Sequence, residues 1–479
     1  MKKNSVFKSI DSVIILFISF LSLFMRLWNI QFPDVTVFDE VHFGNFTNWY
    51  IQESFFFDIH PPLAKLIMAG IAKLTDYPGH IVFNKLDPFY NSSEISYVSL
   101  RITPAIIQSF CFPLIYCAML FFGFYRLTSL STSLILMCET SILAEGRYIL
   151  SDGILHFFVC LTIFSLSGAL YFDSVFWYLF AGISLGCSIS CKNTAMGLIA
   201  FVGITQLFWI YEIRPQIRDI AIRASIILVP TVFVFIFSYI IHLIVLPYHG
   251  QGTNYMPPIF QSTLIHRNSF RWPRIVGMGI FDRIISLNQI MHQGNMKIIS
   301  PHPSQSNPKY WPFLRDKWVV FFSSENRNVF CIGSPSVYYP SSFCIMLTII
   351  AIIAKQNDKR TFILFCGWVV SYLPFLLIPR SMYLYHYIIP LVFAVMNMTS
   401  ILEKFLSKTI LGFLLLLLVF AAVINCIIFF PIVSGSECNN CISTRRWSIR
   451  WSDGPPSSIP CPVIDQNTTI LYGKLPQWS

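Results

Sequence analysis

Apolar runs of near-bilayer length recur about eleven times along the chain, at residues 12–30, 97–122, 131–145, 153–171, 175–191, 194–211, 224–246, 341–354, 361–378, 384–401 and 409–432. A hydrocarbon core about 30 Å thick takes roughly 20 mostly apolar residues per helical crossing, and lipid offers no water to open backbone groups. The chain therefore reads as an all-α polytopic membrane protein of about eleven transmembrane helices. Only 12% of the 479 residues are charged, which excludes an ordinary soluble domain. The first run follows MKKNSVFK without a small-residue cleavage site and is expected to stay as an anchor.

A net charge of +10 would suggest nucleic acid in a soluble chain, but here the basic residues sort onto membrane faces and no nucleic-acid role is expected. With the amino terminus cytosolic, the short loops on that face hold Lys2, Lys3, Lys8, Arg126, Arg214, Arg218, Arg223, Lys355, Lys359, Arg360, Lys404 and Lys408. That arrangement follows the positive-inside preference. It puts residues 31–96, 247–340 and 434–479 on the translocated face. The membrane part then divides into residues 1–246, with the loop 31–96, and residues 341–433.

Four cations break this preference: Arg101, Arg147, Lys192 and Arg380 each stand at the translocated end of a helix. Snorkelling or pairing with an acid explains any one of them. Together they are expected to converge on a membrane-level cavity that suits an anionic headgroup such as a phosphate. The adjacent acids Asp39 and Glu40 lie on that face too, as do Asp58, His60, Lys65, Asp152 and His386. Carboxylates facing cations suit group transfer from a phosphate carrier: the cations steady the leaving phosphate while a carboxylate takes the acceptor's proton.

After the acidic pair, Phe43, Phe46 and Tyr50, and then Leu63, Leu66, Ile67 and Ile71, recur at helical spacing. They predict two short amphipathic helices in the interface, with their apolar faces in the lipid boundary. CNNC at 438–441 is a lone pair, read as a disulfide or as nothing of note. Sequons stand at Asn45, Asn91, Asn397 and Asn467; Asn397 lies inside a run and Asn45 too near the membrane to accept glycan.

Five stretches, in order along the chain, resemble the eukaryotic protein O-mannosyltransferases: RLWNIQFPDVTVFDEVHFG at 26–44, FFFDIHPPLAKL at 55–66, GRYILSDG at 146–153, HPSQSNPKYWPFLR at 302–315 and SYLPFLLIPRSMYLYHYIIP at 371–390. The resemblance implies a GT-C type glycosyltransferase fold in the endoplasmic reticulum membrane, amino terminus cytosolic and carboxyl terminus lumenal. It implies inverting transfer of mannose from dolichyl phosphate mannose to serine or threonine hydroxyls of proteins. It also implies a homodimer or a heterodimer with a paralogue. In that family the acidic pair is essential, which maps onto Asp39 as general base and Glu40 as a positioning or acceptor-binding partner.

Arg101 matches a family arginine at the site or holding the loop, and with Arg147, Lys192 and Arg380 it is a candidate for the donor phosphate. His60, Lys65, Asp152, His302, Trp311 and His386 are supporting or acceptor-side candidates; Tyr385 stands where relatives carry the first of two histidines. No cofactor or metal is required by this reading, although the acidic pair with His60 or His302 has ligand types for one. The family's lumenal β-trefoil repeats have no counterpart in residues 247–340, whereas GQGTNYMPPIFQSTL and HPSQSNPKYWPFLR resemble their flanks. A flippase of a lipid-linked anion, a transferase to a lipid or glycan, and a noncatalytic partner subunit are the alternatives. No internal repeat supports the first, and the retained acidic pair opposes the last.

Overall fold

A computed structural model of the chain describes residues 6–84, 90, 96–267, 278–448 and 451. Helices α1 (Ser9–Leu27), α2 (Glu40–Ile51), α3 (Leu63–Leu74), α4 (Tyr97–Ser109), α5 (Cys111–Phe121), α6 (Arg126–Met137) and α7 (Thr140–Glu145) come first. Then follow α8 (Asp152–Phe172), α9 (Val175–Cys191), α10 (Gly197–Ile213), α11 (Ile217–Val245), α12 (Pro258–Gln261) and α13 (Ile280–Met296). An antiparallel hairpin of β1 (Val319–Ser323) and β2 (Asn328–Cys331) precedes α14 (Pro335–Ile353), α15 (Lys359–Tyr372), α16 (Ile388–Phe405), α17 (Lys408–Phe429), α18 (Pro431–Ser434) and α19 (Cys441–Arg445). The hairpin is an element that hydropathy alone did not reveal.

Among the described residues, eight segments are long and apolar enough to cross a membrane: Ser9–Leu27, Tyr97–Phe121, Asp152–Phe172, Asn193–Ile213, Ile217–Val245, Pro335–Ile353, Leu384–Phe405 and Lys408–Phe429. The other three runs are helical but shorter. That at 131–145 breaks after Met137, where Glu139 turns inward and caps α7 by accepting from the Ile142 amide at 2.9 Å. Exposed Leu228, Val229, Val232 and Phe233 on α11, and Phe413, Leu416 and Phe420 on α17, give the bundle an apolar outer surface.

Small and hydroxylated residues set the helix contacts, as expected where lipid removes the hydrophobic drive between helices. Gly182 and Gly186 let α9 lie against α11, for a Cβ on Gly182 would come within 2.3 Å of the Ile227 carbonyl oxygen. Ser165–Ser184 at 2.8 Å and Thr162–Ser188 at 3.0 Å join α8 to α9. Asn397, buried in α16, accepts from Thr348 of α14 at 2.8 Å and donates to the Thr361 carbonyl of α15 at 3.2 Å.

The predicted basic loops gather at one end of the bundle. There Arg126 pairs with Asp11, Lys359 with Glu212 at 2.6 Å, and the Tyr125 amide donates to Glu403 at 2.9 Å. Loop 30–62, the hairpin and residues 373–387 contact one another elsewhere, through Phe38, Phe321 and Tyr385.

The apolar stripe of α2 does not lie in a lipid boundary. Phe43, Phe46 and Tyr50 are buried in protein: Phe46 stacks on Phe56 with centroids 4.6 Å apart, and the Tyr50 hydroxyl meets His242 Nδ1 at 2.6 Å. Both helices pack instead of floating, because loop 52–62 folds back under α2; Leu63, Leu66, Ile67 and Ile71 of α3 remain half-buried. Cys438 and Cys441 form the disulfide. The Asn45 amide is occupied, donating to the Val41 and Phe83 carbonyls at 2.6 and 3.0 Å, and Asn397 is buried. Asn91 and Asn467 lie outside the described residues.

Candidate active site

The adjacent acids have separate environments. Glu40, fully buried, accepts from Arg101 Nε at 2.7 Å and Nη2 at 2.8 Å, from the Val37 and Ile149 amides at 2.8 and 3.0 Å, and from the Tyr90 hydroxyl at 3.2 Å. Arg101 spends its remaining donors on the carbonyls of Ile30, Gln31, Pro33 and Val35, at 2.8 to 3.2 Å. A bidentate pair this well satisfied fixes the loop leading into α2.

Arg147 caps the end of α1, donating to the Met25, Arg26 and Trp28 carbonyls at 2.7 to 2.9 Å. The four wrong-face cations therefore do not converge on one cavity. Arg101 and Arg147 point into backbone carbonyls, and Glu40 has no lone pair left for an acceptor. The competing need was the loop's own unsatisfied peptide groups, which burial makes costly.

Asp39 is the N-cap of α2 but makes no side-chain cap, and its half-buried carboxylate accepts no hydrogen bond from the described residues. Its charge acts on Lys192 and Tyr383. Lys192 joins α9 to α10, donates to Asp152 Oδ1 at 2.8 Å and lies 5.1 Å over the Tyr385 ring. Burial by itself would push its ammonium down, but the carboxylates of Asp152, Glu145 and Asp39 hold it above its ordinary value. A cavity beside it is lined by Asp152, His156, Lys192, Thr194, Tyr385 and His386.

The distant motifs close this region. The loop at 302–315 docks on residues 372–388 through Ser306 N to the Met382 carbonyl (2.8 Å) and Tyr372 OH to the Pro308 carbonyl (2.9 Å). Trp311, fully buried, stacks parallel to His386 at 6.2 Å and donates to Ser306 Oγ at 2.8 Å. His302 is exposed and sits edge-on to Tyr383 at 5.4 Å. Arg380 reaches the Asn295 side-chain oxygen and is a charged neighbour of His60, Tyr383 and His386.

A second cavity lies between loop 52–62 and helices α11 and α13, lined by Asp58, His60, Lys65, Tyr239 and His242. Lys65 donates to the Asp58 carboxylate and to the His60 and Pro61 carbonyls at 2.7 and 3.1 Å, so it braces the loop. His60 Nδ1 is buried without a partner; burial, then Lys192, Lys65, Arg380 and His386, hold the ring's pKa well below its ordinary value. A depressed histidine leaves stability intact above about pH 6.5 and removes it as the pH falls, because the unfolded chain takes a proton that the folded one refuses. The thermal midpoint should therefore fall between pH 7 and pH 5 with His60 contributing at most about 1.4 kcal/mol per pH unit. His60→Gln should flatten that part of the slope; an unchanged slope would refute the contribution.

Glu145, Asp152 and His156 bring ligand-type atoms within 4.8 Å of one another. Arg26 Nε donates to Gln108 Oε1 at 2.7 Å, which turns Gln108 Nε2 toward His156 Nδ1 at 3.1 Å. His156 Nε2 lies 3.4 Å from Glu145 Oε2. Neither Asp39 nor Glu40 belongs to this group.

His156, Glu145, Phe38 and Phe321 were not foreseen at the site. His156 follows Asp152 by one helical turn and was legible in principle; the others depend on long-range contacts.

Residues 16–253 match the family described as dolichyl-phosphate-mannose-protein mannosyltransferase, and residues 280–451 match the C-terminal four TMM region of protein-O-mannosyltransferase. The chain belongs to the protein O-mannosyltransferase family.

It is 30% identical over 311 residues to dolichyl-phosphate-mannose–protein mannosyltransferase 4 of Schizosaccharomyces pombe, covering 60% of this chain and 38% of that one. It is 29% identical over 298 residues to mannosyltransferase 3 of Saccharomyces cerevisiae, covering 58% and 39%. The matches thus span under two fifths of these curated relatives. The fold is that of a chain in the S. cerevisiae protein O-mannosyltransferase Pmt1-Pmt2 complex bound to the sugar donor, with a TM-score of 0.85, 17% identity and 93% of both chains covered. An archaeal oligosaccharyltransferase, AglB of Archaeoglobus fulgidus, shares the fold more loosely, with a TM-score of 0.51 and 11% identity over 94% of this chain and 57% of that one.

Proposed function

We propose that the chain transfers mannose from dolichyl phosphate mannose to serine or threonine hydroxyls of proteins. The observation that carries this reading is the unpartnered carboxylate of Asp39, whose charge acts on the buried ammonium of Lys192. Asp39 takes the hydroxyl proton as the hydroxyl oxygen bonds to the sugar's anomeric carbon from the face opposite the phosphate. The bond from that carbon to the phosphate oxygen breaks and its electron pair leaves on dolichyl phosphate. Lys192 and Arg380 balance the added charge. Arg101 and Arg147 act one layer back, holding the loop that carries Asp39.

Membership of the family supports a place in the endoplasmic reticulum membrane, amino terminus cytosolic and carboxyl terminus lumenal. The Pmt1-Pmt2 relative supports pairing with a second copy or a paralogue. The test supplies dolichyl phosphate mannose and a Ser/Thr-rich peptide to purified protein, with and without a co-expressed paralogue. Mannosylated peptide is expected, in equal yield with or without EDTA, because a carboxylate base and two cations serve the transfer in this reading without a metal. No labelled peptide from folded protein with its partner present overturns the function; loss on chelation overturns the metal-free reading.

A further inference from the structure

Among the described residues Asp39 has no hydrogen bond to aim its carboxylate, so its direction comes from its neighbours in the chain. On one side stands Glu40, locked to Arg101. On the other, Phe38 adopts φ +50°, a left-handed conformation uncommon for a bulky aromatic residue and kept only where surroundings impose it.

The hairpin supplies that imposition. Val320 pairs with Phe330 and Phe322 with Val329, which leaves Phe321 as the extra residue of a β-bulge. The freed Phe321 carbonyl accepts from the Phe38 amide at 3.0 Å, and the two rings stack 4.2 Å apart with planes 9° from parallel. Phe38 then meets Tyr385 edge-on at 6.1 Å. The hairpin is itself anchored: Arg327 near its turn pairs with Glu437, and the Cys438 amide donates to the Asn326 carbonyl at 2.9 Å.

We propose that Phe321, through its bulged carbonyl and its ring, is a positioning residue that holds Phe38 left-handed and so directs the Asp39 carboxylate at the acceptor hydroxyl. This rests on the assignment of Asp39 as base. Bulges recur beside active sites because they re-aim a side chain, and a misplacement of about 1 Å costs roughly 10²-fold in rate.

The test is a double-mutant cycle on the purified, partnered protein with the peptide acceptor, using Phe321→Leu, which keeps an apolar side chain, and Phe321→Tyr, which keeps the ring. Phe321→Leu should lower kcat by about 10²-fold with donor KM unchanged, and Phe321→Tyr should restore it. In an Asp39→Asn background Phe321→Leu should cost nothing further, because both act on one group. Should Phe321→Leu unfold, Phe38→Gly carries the same cycle, since glycine accepts the positive φ but lacks the ring. Losses that multiply, or full kcat in Phe321→Leu, overturn the proposal while leaving the base assignment standing. Full turnover in Asp39→Asn alone overturns that assignment and this proposal with it.

Discussion

Asp39→Asn should reduce the turnover of mannosyl transfer by about 10² to 10⁴-fold while leaving the folded protein and its thermal midpoint unchanged. The physical basis is the contrast in bonding between two consecutive carboxylates. Asp39 accepts no hydrogen bond from the described residues, so exchanging its oxygen for an amide removes a proton acceptor without opening a buried pair. The loss should fall on kcat rather than on donor KM, because the proton moves only as the glycosidic bond forms. Activity within a few-fold of the intact enzyme would place the base elsewhere. The acid that lines the cavity, Asp152, is already committed to Lys192 at 2.8 Å, so it is the poorer base.

Glu40→Gln and Arg101→Leu should act on stability instead. Removing one member of a buried, hydrogen-bonded ion pair leaves an uncompensated charge and costs about 3–5 kcal/mol. Glu40 and Arg101 are both fully buried, and together they gather the backbone of residues 30–37 and Ile149. The expected result is a large drop in thermal midpoint and in the monodisperse fraction on size exclusion, with activity falling in proportion to folded protein. The two single changes should be strongly non-additive, since either one empties the same pair. A Glu40→Gln protein with an intact midpoint and a selective loss of kcat would instead put Glu40 at the reacting atoms.

Local pattern marks charged residues that sit oddly in a membrane chain, but it does not say what each one binds. Positive-inside asymmetry singled out Arg101, Arg147, Lys192 and Arg380 as anomalous, and the structure gives them different partners: backbone carbonyls for Arg101 and Arg147, Asp152 for Lys192 and Asn295 for Arg380. That asymmetry had no means to separate cations that hold peptide carbonyls from those left beside the cavity, because both solve a burial problem and look alike in one dimension. The stripe of Phe43, Phe46 and Tyr50 was correctly helical. Periodicity reports that a face is apolar, not whether lipid or protein covers it. The hairpin was hidden for a related reason: WVVFF and NVFC are too short to be told from helical fragments by pattern, although SSEN between them is a turn signal.

Sequence alone determined the class of molecule, since lipid forces long apolar runs to satisfy their peptide groups as helices, and a run of about 20 such residues has few other destinations. Only the tertiary structure decided that Glu40 is buried against Arg101 while Asp39 stays half-buried outside that pair. Successive residues entering a helix point about 100° apart, so neighbours in the chain inherit different surroundings. Those surroundings are furnished by α4, β1 and residues 378–388, which no local pattern around the acidic pair encodes.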